Sequence, residues 1–426
     1  MFLPATSSNV AGDFLFVSTI YPVDDSGEPV LNEGPSPHVG KSLVAAQTGA
    51  VLDRLRELVE AAGSALDQIV RVEVQLTAAE DFYEFKLVWA DLFGDTPPAR
   101  TTVVVGDDWI IPGCRVCLNA VAIAGGSPLK RETIHTDEAP DPMQYEHVPQ
   151  ATKAGAFVFP SALPACDFDT GIPVGRRLPR FPYYGSDATE QAHYVLDNIN
   201  AICKAAGTDI ANTVKSHLYE PDLLTFSEVD AVWGEKMPRP PTRASMAVRD
   251  LLVPGAVMVA SLLVVVPDES HEIEETRLGI SWHPVDLKKV NFTPGITVGE
   301  EWLFLSGQLP VPDYVVGDVE GAPPGMPNYV SDIELQTEAT MRLLYNQIEA
   351  NGLALSDIAD ARIFLIHAQR DYRGFDRAWR RIFAEHGVAA ENFPSMSLMP
   401  STQRNGDTGA MFWGPEIEID LIVRRP

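Results

Sequence analysis

The chain has 426 residues, room for about three domains at ~150 residues each. Asp and Glu outnumber Lys and Arg by 59 to 32, and the net charge of −27 repels phosphate backbones, which argues against nucleic acid as a partner. Four scattered cysteines do not make a disulfide framework; with no apolar run of ~20 residues and no signal-peptide pattern in MFLPATSSNV, a cytoplasmic protein without a membrane partner is expected.

In chain order, DFLFVSTI is apolar and β-branched between polar flanks and reads as a strand. A Gly/Pro/Asp-rich loop leads to AAQTGAVLDRLRELVEAAG, where Val51, Leu52, Leu55, Leu58 and Val59 share a helical face and Gly63 stops the helix. Val70, Val72, Val74 and Leu76 then alternate as a strand with one buried face. A second helix through DFYEFKLVWADLFG and two strands, ARTTVVVG and RVCLNAVAIA, complete the order β, α, β, α, β, β.

The same plan recurs twice. Gly63, Gly207 and Gly352 end corresponding helices at intervals of 144 and 145 residues, a period the size of a domain. FLFVSTIYP, FVFPSALP and WLFLSGQLP precede those helices, Gln47, Gln191 and Gln336 open them, and Trp89, Trp233 and Trp379 match in the second helices. Two helices cover one face of a sheet, so the other face needs a partner. The expected fold is therefore α+β, three tandem sheet domains closing into an intramolecular pseudo-trimer.

QTGAVLDRLRELVEAAG, DFYEFKLVWADLFG with PPAR, and CRVCLNAVAIA resemble the Rid/YjgF family of imine and enamine deaminases, as do QAHYVLDNINAICKAAG, PPTR and AVMVASLLVVVP in the second copy. The resemblance covers nearly the whole chain. It sets the boundaries at 1–128, 129–272 and 273–426, the last the most diverged, and implies a chorismate-mutase-like sheet in each. Repeat one begins so near Met1 that its first strand is expected to be missing. The resemblance also implies clefts between adjacent units, an arginine after the second helix that holds a substrate carboxylate, and a last-strand carboxylate that positions or activates water.

Carried over, the arginine falls on Arg100 and Arg243, with Met396 in repeat three; the acid position falls on Asn119, Ser261 and Asp420. No repeat keeps both family residues. The plain alternative for the arginines is an interface ion pair; for Asp420, which alternates with Glu416 and Glu418, it is a solvated strand face or a pairing with a neighbouring arginine. In GRRLPRFPYYG, Arg177 and Tyr184 lie among further arginines and aromatics suited to a planar anionic ligand or to interface packing. The loops before the first helices, including PVPDYVVGDVEGAPPGMP, are long enough to cover clefts or to lock domains together. Cys114 and Cys117 lack a second pair and read as buried small residues, with no metal site, and His217 and His367 as packed or surface histidines.

The chain carries no P-loop, GxGxxG or GxSxG pattern, so no cofactor is indicated. The leading expectation is cofactor-independent deamination or hydrolysis of a small carboxylate-bearing imine, enamine or related amide in a dedicated catabolic or biosynthetic pathway. A non-catalytic small-molecule binder or pathway assembly partner, and a chorismate-type aromatic dicarboxylate hydrolase, are the alternatives; ribonuclease activity is disfavoured by the charge. The anticipated state is a monomeric pseudo-trimer, with further self-association left open.

Overall fold

In the computed structural model the residues described are 7–32, 40–174, 186–280, 290–310, 331–402 and 415–426. Arg177 and Tyr184, and the loop from 311 to 330, lie outside them. Three mixed sheets carry the architecture. The first holds β1 (Ser8–Ala11), β2 (Phe14–Ile20), β3 (Ile69–Leu76), β4 (Ala99–Val104) and β5 (Val116–Ile123), in the order β1-β2-β5-β3-β4. The second holds β6 (Arg131–Ile134), β7 (Ala151–Ala154), β8 (Phe157–Pro160), β9 (Thr213–Glu220), β10 (Thr242–Ala247) and β11 (Val259–Val265), in the order β10-β9-β11-β8-β7-β6. The third holds β12 (Ile273–Thr276), β13 (Gly295–Val298), β14 (Trp302–Leu305), β15 (Ile358–Leu365), β16 (Ser395–Pro400) and β17 (Ile417–Arg424), in the order β12-β13-β14-β17-β15-β16.

The three orders superimpose, except that among the described residues the first sheet has five strands where the others have six. The position without a counterpart there is that of β6 and β12. Among the described residues each sheet has one parallel pair, β3 with β4, β9 with β10 and β15 with β16.

Two long helices pack on each sheet: α1 (Leu43–Ala61) and α2 (Phe82–Phe93) on the first, α4 (Asp187–Ala205) and α5 (Phe226–Lys236) on the second, α6 (Asp332–Ala350) and α7 (Ala368–Glu385) on the third. A short helix, α3 (Met143–Glu146), precedes β7. Gly63, Gly207 and Gly352 follow the long first helices at φ +74°, +86° and +76°, where a side chain is strained. Gln47, Gln191 and Gln336 fasten those helices to the start of the closing strand: their Oε1 atoms accept the N–H groups of Arg115 (2.7 Å), Val257 (3.0 Å) and Glu416 (2.8 Å).

Val72, Val74 and Leu76 face α1 and α2, as their alternation predicts. Val70 does not: it joins a cluster on the opposite face, beside a register irregularity between Ile69 and Arg71. Val214 and Ala359 do the same at matching irregularities in β9 and β15. A bulge adds a residue to one strand and re-aims its neighbours, which simple alternation cannot foresee.

That opposite-face cluster draws on all three sheets. Phe14, Phe157 and Trp302 meet edge to face at centroid separations of 5.4, 6.2 and 6.1 Å, contacts worth about 0.5–1.5 kcal/mol each beyond area burial. The serine shared by FVS, FPS and FLS makes a repeated link: Oγ of Ser161 accepts the N–H of Arg100 at 3.2 Å, Ser306 that of Arg243 at 2.9 Å, and Ser18 that of Met396 at 2.9 Å. The second sheet is thus tied to the first, the third to the second, and the first to the third.

Candidate functional site

Strand register places the sequence-derived positions in equivalent places. Arg100, Arg243 and Met396 stand opposite Val72, Ser216 and Ala361, while Asn119, Ser261 and Asp420 stand opposite Glu73, His217 and Arg362. The environments of these residues are different.

Arg100 is 2% exposed and stacks over Phe82, Phe85 and Trp89, its Cζ 4.9 Å from the Trp89 ring. Its Nε donates to Thr102 Oγ1 at 2.9 Å and its Nη2 to the Glu146 carbonyl at 2.9 Å, with the Glu146 carboxylate 3.8 Å away. Glu146 ends α3, which precedes β7 of the second sheet and lies over this point; Lys86 and Trp89 hold the neighbouring carbonyls of Tyr145 and His147. Burial lowers the Arg100 pKa to about 10, partly offset by Glu146. Nε and Nη2 of this arginine are engaged within the chain, while its buried Nη1 has no hydrogen-bond partner among the described residues.

Arg243 stacks over Phe226, Trp233 and Phe292, with Nη1 2.6 Å from Asp230 Oδ1. Nε and Nη2 make no hydrogen bond with the described residues. Asn291 braces the other Asp230 oxygen at 2.9 Å. Two further carboxyls share this electrostatic environment: Glu220 at the end of β9, and Glu418 on β17 of the third sheet. Burial raises both, Glu220 to about 8; for Glu418 the neighbouring Asp420 raises it further, and Arg243 opposes the rise in each. Gly307, whose N–H donates to the Arg243 carbonyl at 3.0 Å, clears the way, since a Cβ there would overlap Glu418 Oε1. An arginine edge with no hydrogen-bond partner can hold an anion, and a carboxyl whose pKa burial raises can exchange a proton with it.

Asp420 lies elsewhere. It is 2% exposed, with Oδ1 2.7 Å from Lys215 Nζ and Oδ2 2.8 Å from His217 Nε2. Burial raises its pKa, but Lys215 and then His217 outweigh it and hold the group well below the carboxylate range. His217 in turn meets Arg362, which pairs with Glu73 and donates to Tyr219 Oη at 3.0 Å. Ser261 donates to Glu73 at 3.2 Å, and Asn119 is buried on the strand beside it. Glu418 and Glu220 were not singled out by the sequence. Glu418 was legible in the same EIEID alternation, two residues before Asp420; nothing in sequence marks Glu220.

Trp89, Trp233 and Trp379 are fully buried, two of them forming the floors under Arg100 and Arg243. Cys114 and Cys117 are buried, His217 is packed, and His367 is exposed at the start of α7. No helix among the described residues is long and apolar enough to cross a membrane.

The model of the endoribonuclease L-PSP family matches residues 6–124 and 179–261. A RutC family protein of Pyrococcus horikoshii is 34% identical over 103 residues, 24% of this chain and 74% of its own length. The 3-aminoacrylate deaminase RutC of Acinetobacter baylyi is 31% identical over 105 residues, 25% of this chain and 74% of its own. Among solved structures, RidA from an Antarctic Psychrobacter is 30% identical with a TM-score of 0.26, covering 32% of this chain and 98% of that one.

Proposed function

The chain belongs to the endoribonuclease L-PSP (Rid/YjgF) family, and from that premise we propose that it hydrolyses a small carboxylate-bearing imine or enamine without a cofactor, in the cleft between its second and third sheets. The observation that carries this reading is the arginine edge of Arg243, without a hydrogen-bond partner, beside the buried carboxyl of Glu418. Arg243 holds the substrate carboxylate. Neutral Glu418 gives its proton to the imine nitrogen and then, as carboxylate, takes a proton from the water that adds to the C=N carbon. Collapse of the carbinolamine releases ammonia and leaves a 2-oxo acid; an enamine enters the same route after protonation at carbon. The name of the deaminase relative, which acts on an aminoacrylate, supports this class of substrate.

The arginine and the acid come from different units, so the pair missing within every repeat is assembled between two of them. This reading takes units 1–128, 129–272 and 273–426 as tandem domains closed into a pseudo-trimer, supported by the three equivalent serine links. Of the other two clefts, one has Arg100 engaged by Glu146 and the other has Met396; both serve the architecture, and Asp420, Asn119 and Ser261 belong to it as well.

The test is ammonia release from freshly generated 2-imino acids by wild type, Arg243→Ala, Glu418→Gln and Arg100→Ala. Arg243→Ala should raise KM by about 10- to 100-fold, the worth of a charged hydrogen-bonded pair, and Glu418→Gln should lower kcat. Release no faster than the uncatalysed rate would instead favour a non-catalytic carboxylate binder.

A further inference from the structure

Glu220 is fully buried, and its Oε2 has no hydrogen-bond partner. Its Oε1 has one long contact, 3.4 Å from Thr225 Oγ1. A buried carboxyl with an unmet oxygen is costly, and it occurs in one sheet of three: the register-equivalent residues are Leu76 and Leu365. Thr225 precedes Phe226, whose ring lies 5.3 Å from the Arg243 Cζ, and the charged groups that act on the Glu220 carboxyl are Arg243 from β10, Asp230 from α5 and Asp222 from the turn before α5. Of these Arg243 alone is cationic, and it has donors free.

We propose that Glu220 is a positioning residue for the Arg243 anchor: protonated, it leaves the free guanidinium edge to a ligand carboxylate, and ionised, it takes that edge itself. The ordinary carboxylate range would keep Glu220 ionised at neutral pH and the anchor closed. Burial moves its titration to about 8, with Arg243 offsetting part of the rise, so the anchor is open at neutral pH and closes in mildly alkaline solution. Because ligand carboxylate and ionised Glu220 compete for one cation, binding in the alkaline range carries a proton onto Glu220. The inference rests on the assignment of Arg243 as the anchor.

The test is the dissociation constant of 2-oxobutanoate, a stable 2-oxo acid, measured calorimetrically from about pH 6.5 to about pH 9.5, with KM and kcat for an imino acid alongside. Wild type should weaken by about tenfold per pH unit above about 8, in both Kd and KM. Glu220→Gln, which cannot ionise, should be flat across that range, and Glu220→Leu, which installs the residue of the other two sheets, provides a second non-ionising variant should the amide fail to fold. A structural role alone would move stability and leave the pH profile of Kd in place. If Arg243→Ala abolishes binding while the Glu220 variants keep the wild-type profile, this inference is wrong and the anchor stands; if Arg243→Ala binds as wild type does, or no carboxylate binds at any pH, both are overturned.

Discussion

Lys215 holds its ammonium 2.7 Å from Oδ1 of Asp420, joining the middle of the second sheet to the closing strand of the third. Around this pair, equivalent strand positions carry unlike groups: Glu73, His217 and Arg362 at one level, Arg71, Lys215 and Asp360 at the next. Arg362 reaches Glu73, His217 reaches Asp420, and Ser261 reaches Glu73, each across sheets. The second and third sheets are complementary here, the second supplying a lysine and a histidine and the third a pair of aspartates.

Removing one partner from this network leaves a buried charge uncompensated. Asp420→Asn should cost about 3–5 kcal/mol of unfolding free energy, read from urea titration. Pairing Lys215→Met with Asp420→Leu should recover most of that loss, because the two costs are not additive. An Asp420→Asn protein of unchanged stability but reduced turnover would return Asp420 to the catalytic role its strand position first implied.

The same network sets an acid limit. Burial, reinforced by Arg362, lowers His217 from 6.5 to about 4 despite Asp420. Burial raises Glu73, but Arg362 and then Arg71 outweigh it and bring it from 4.5 to about 2. In both cases the unfolded chain takes up a proton before the folded one does. Stability is therefore lost as pH falls, from about 6.5 through about 4 for His217 and from 4.5 through about 2 for Glu73. Wild type measured against His217→Gln should lose ground over the first window, and against Glu73→Gln over the second.

Much of the fold was legible in the sequence, because the helix-opening glutamines, the stop glycines and the second-helix tryptophans hold fixed places in a motif that recurs along the chain. The partners of Asp420 and Arg243 are chosen across sheets: Lys215 lies 205 positions before Asp420, and Glu418 lies 175 after Arg243. Alternation puts Glu416, Glu418 and Asp420 on one face but cannot say which of them meets an arginine and which a lysine. The capping of Arg100 by Glu146 was hidden for the same reason.

The glutamines offer a check on the legible part. Gln47 accepts from the Arg115 N–H and donates to the carbonyls of Val30 and Gly113, at 2.7, 3.0 and 2.9 Å. Gln47→Leu keeps the approximate size and leaves those backbone groups without partners, at about 1–3 kcal/mol for each one that water cannot reach. The amides of Arg115 and its neighbours should also lose hydrogen-exchange protection ahead of the rest of the sheet.

Gly307 separates geometry from charge at the candidate cleft. Its N–H donates to the Arg243 carbonyl at 3.0 Å, and an added Cβ would overlap Glu418 Oε1 and come within 3.0 Å of Ala244 Cβ. Gly307→Ala introduces no charge and removes no hydrogen-bonding group, so its cost is steric, about 1–3 kcal/mol. Because the nearest atom belongs to the Glu418 side chain, the carboxyl is what moves, away from the ligand held at Arg243. The expected result is a kcat for imino-acid hydrolysis lowered by about 10- to 100-fold, since misplacing a proton-transfer group by about 1 Å is costly, with the Kd for 2-oxobutanoate changed far less. Equal losses in both would mean that Gly307 supports the anchor and that Glu418 takes no part in the chemistry.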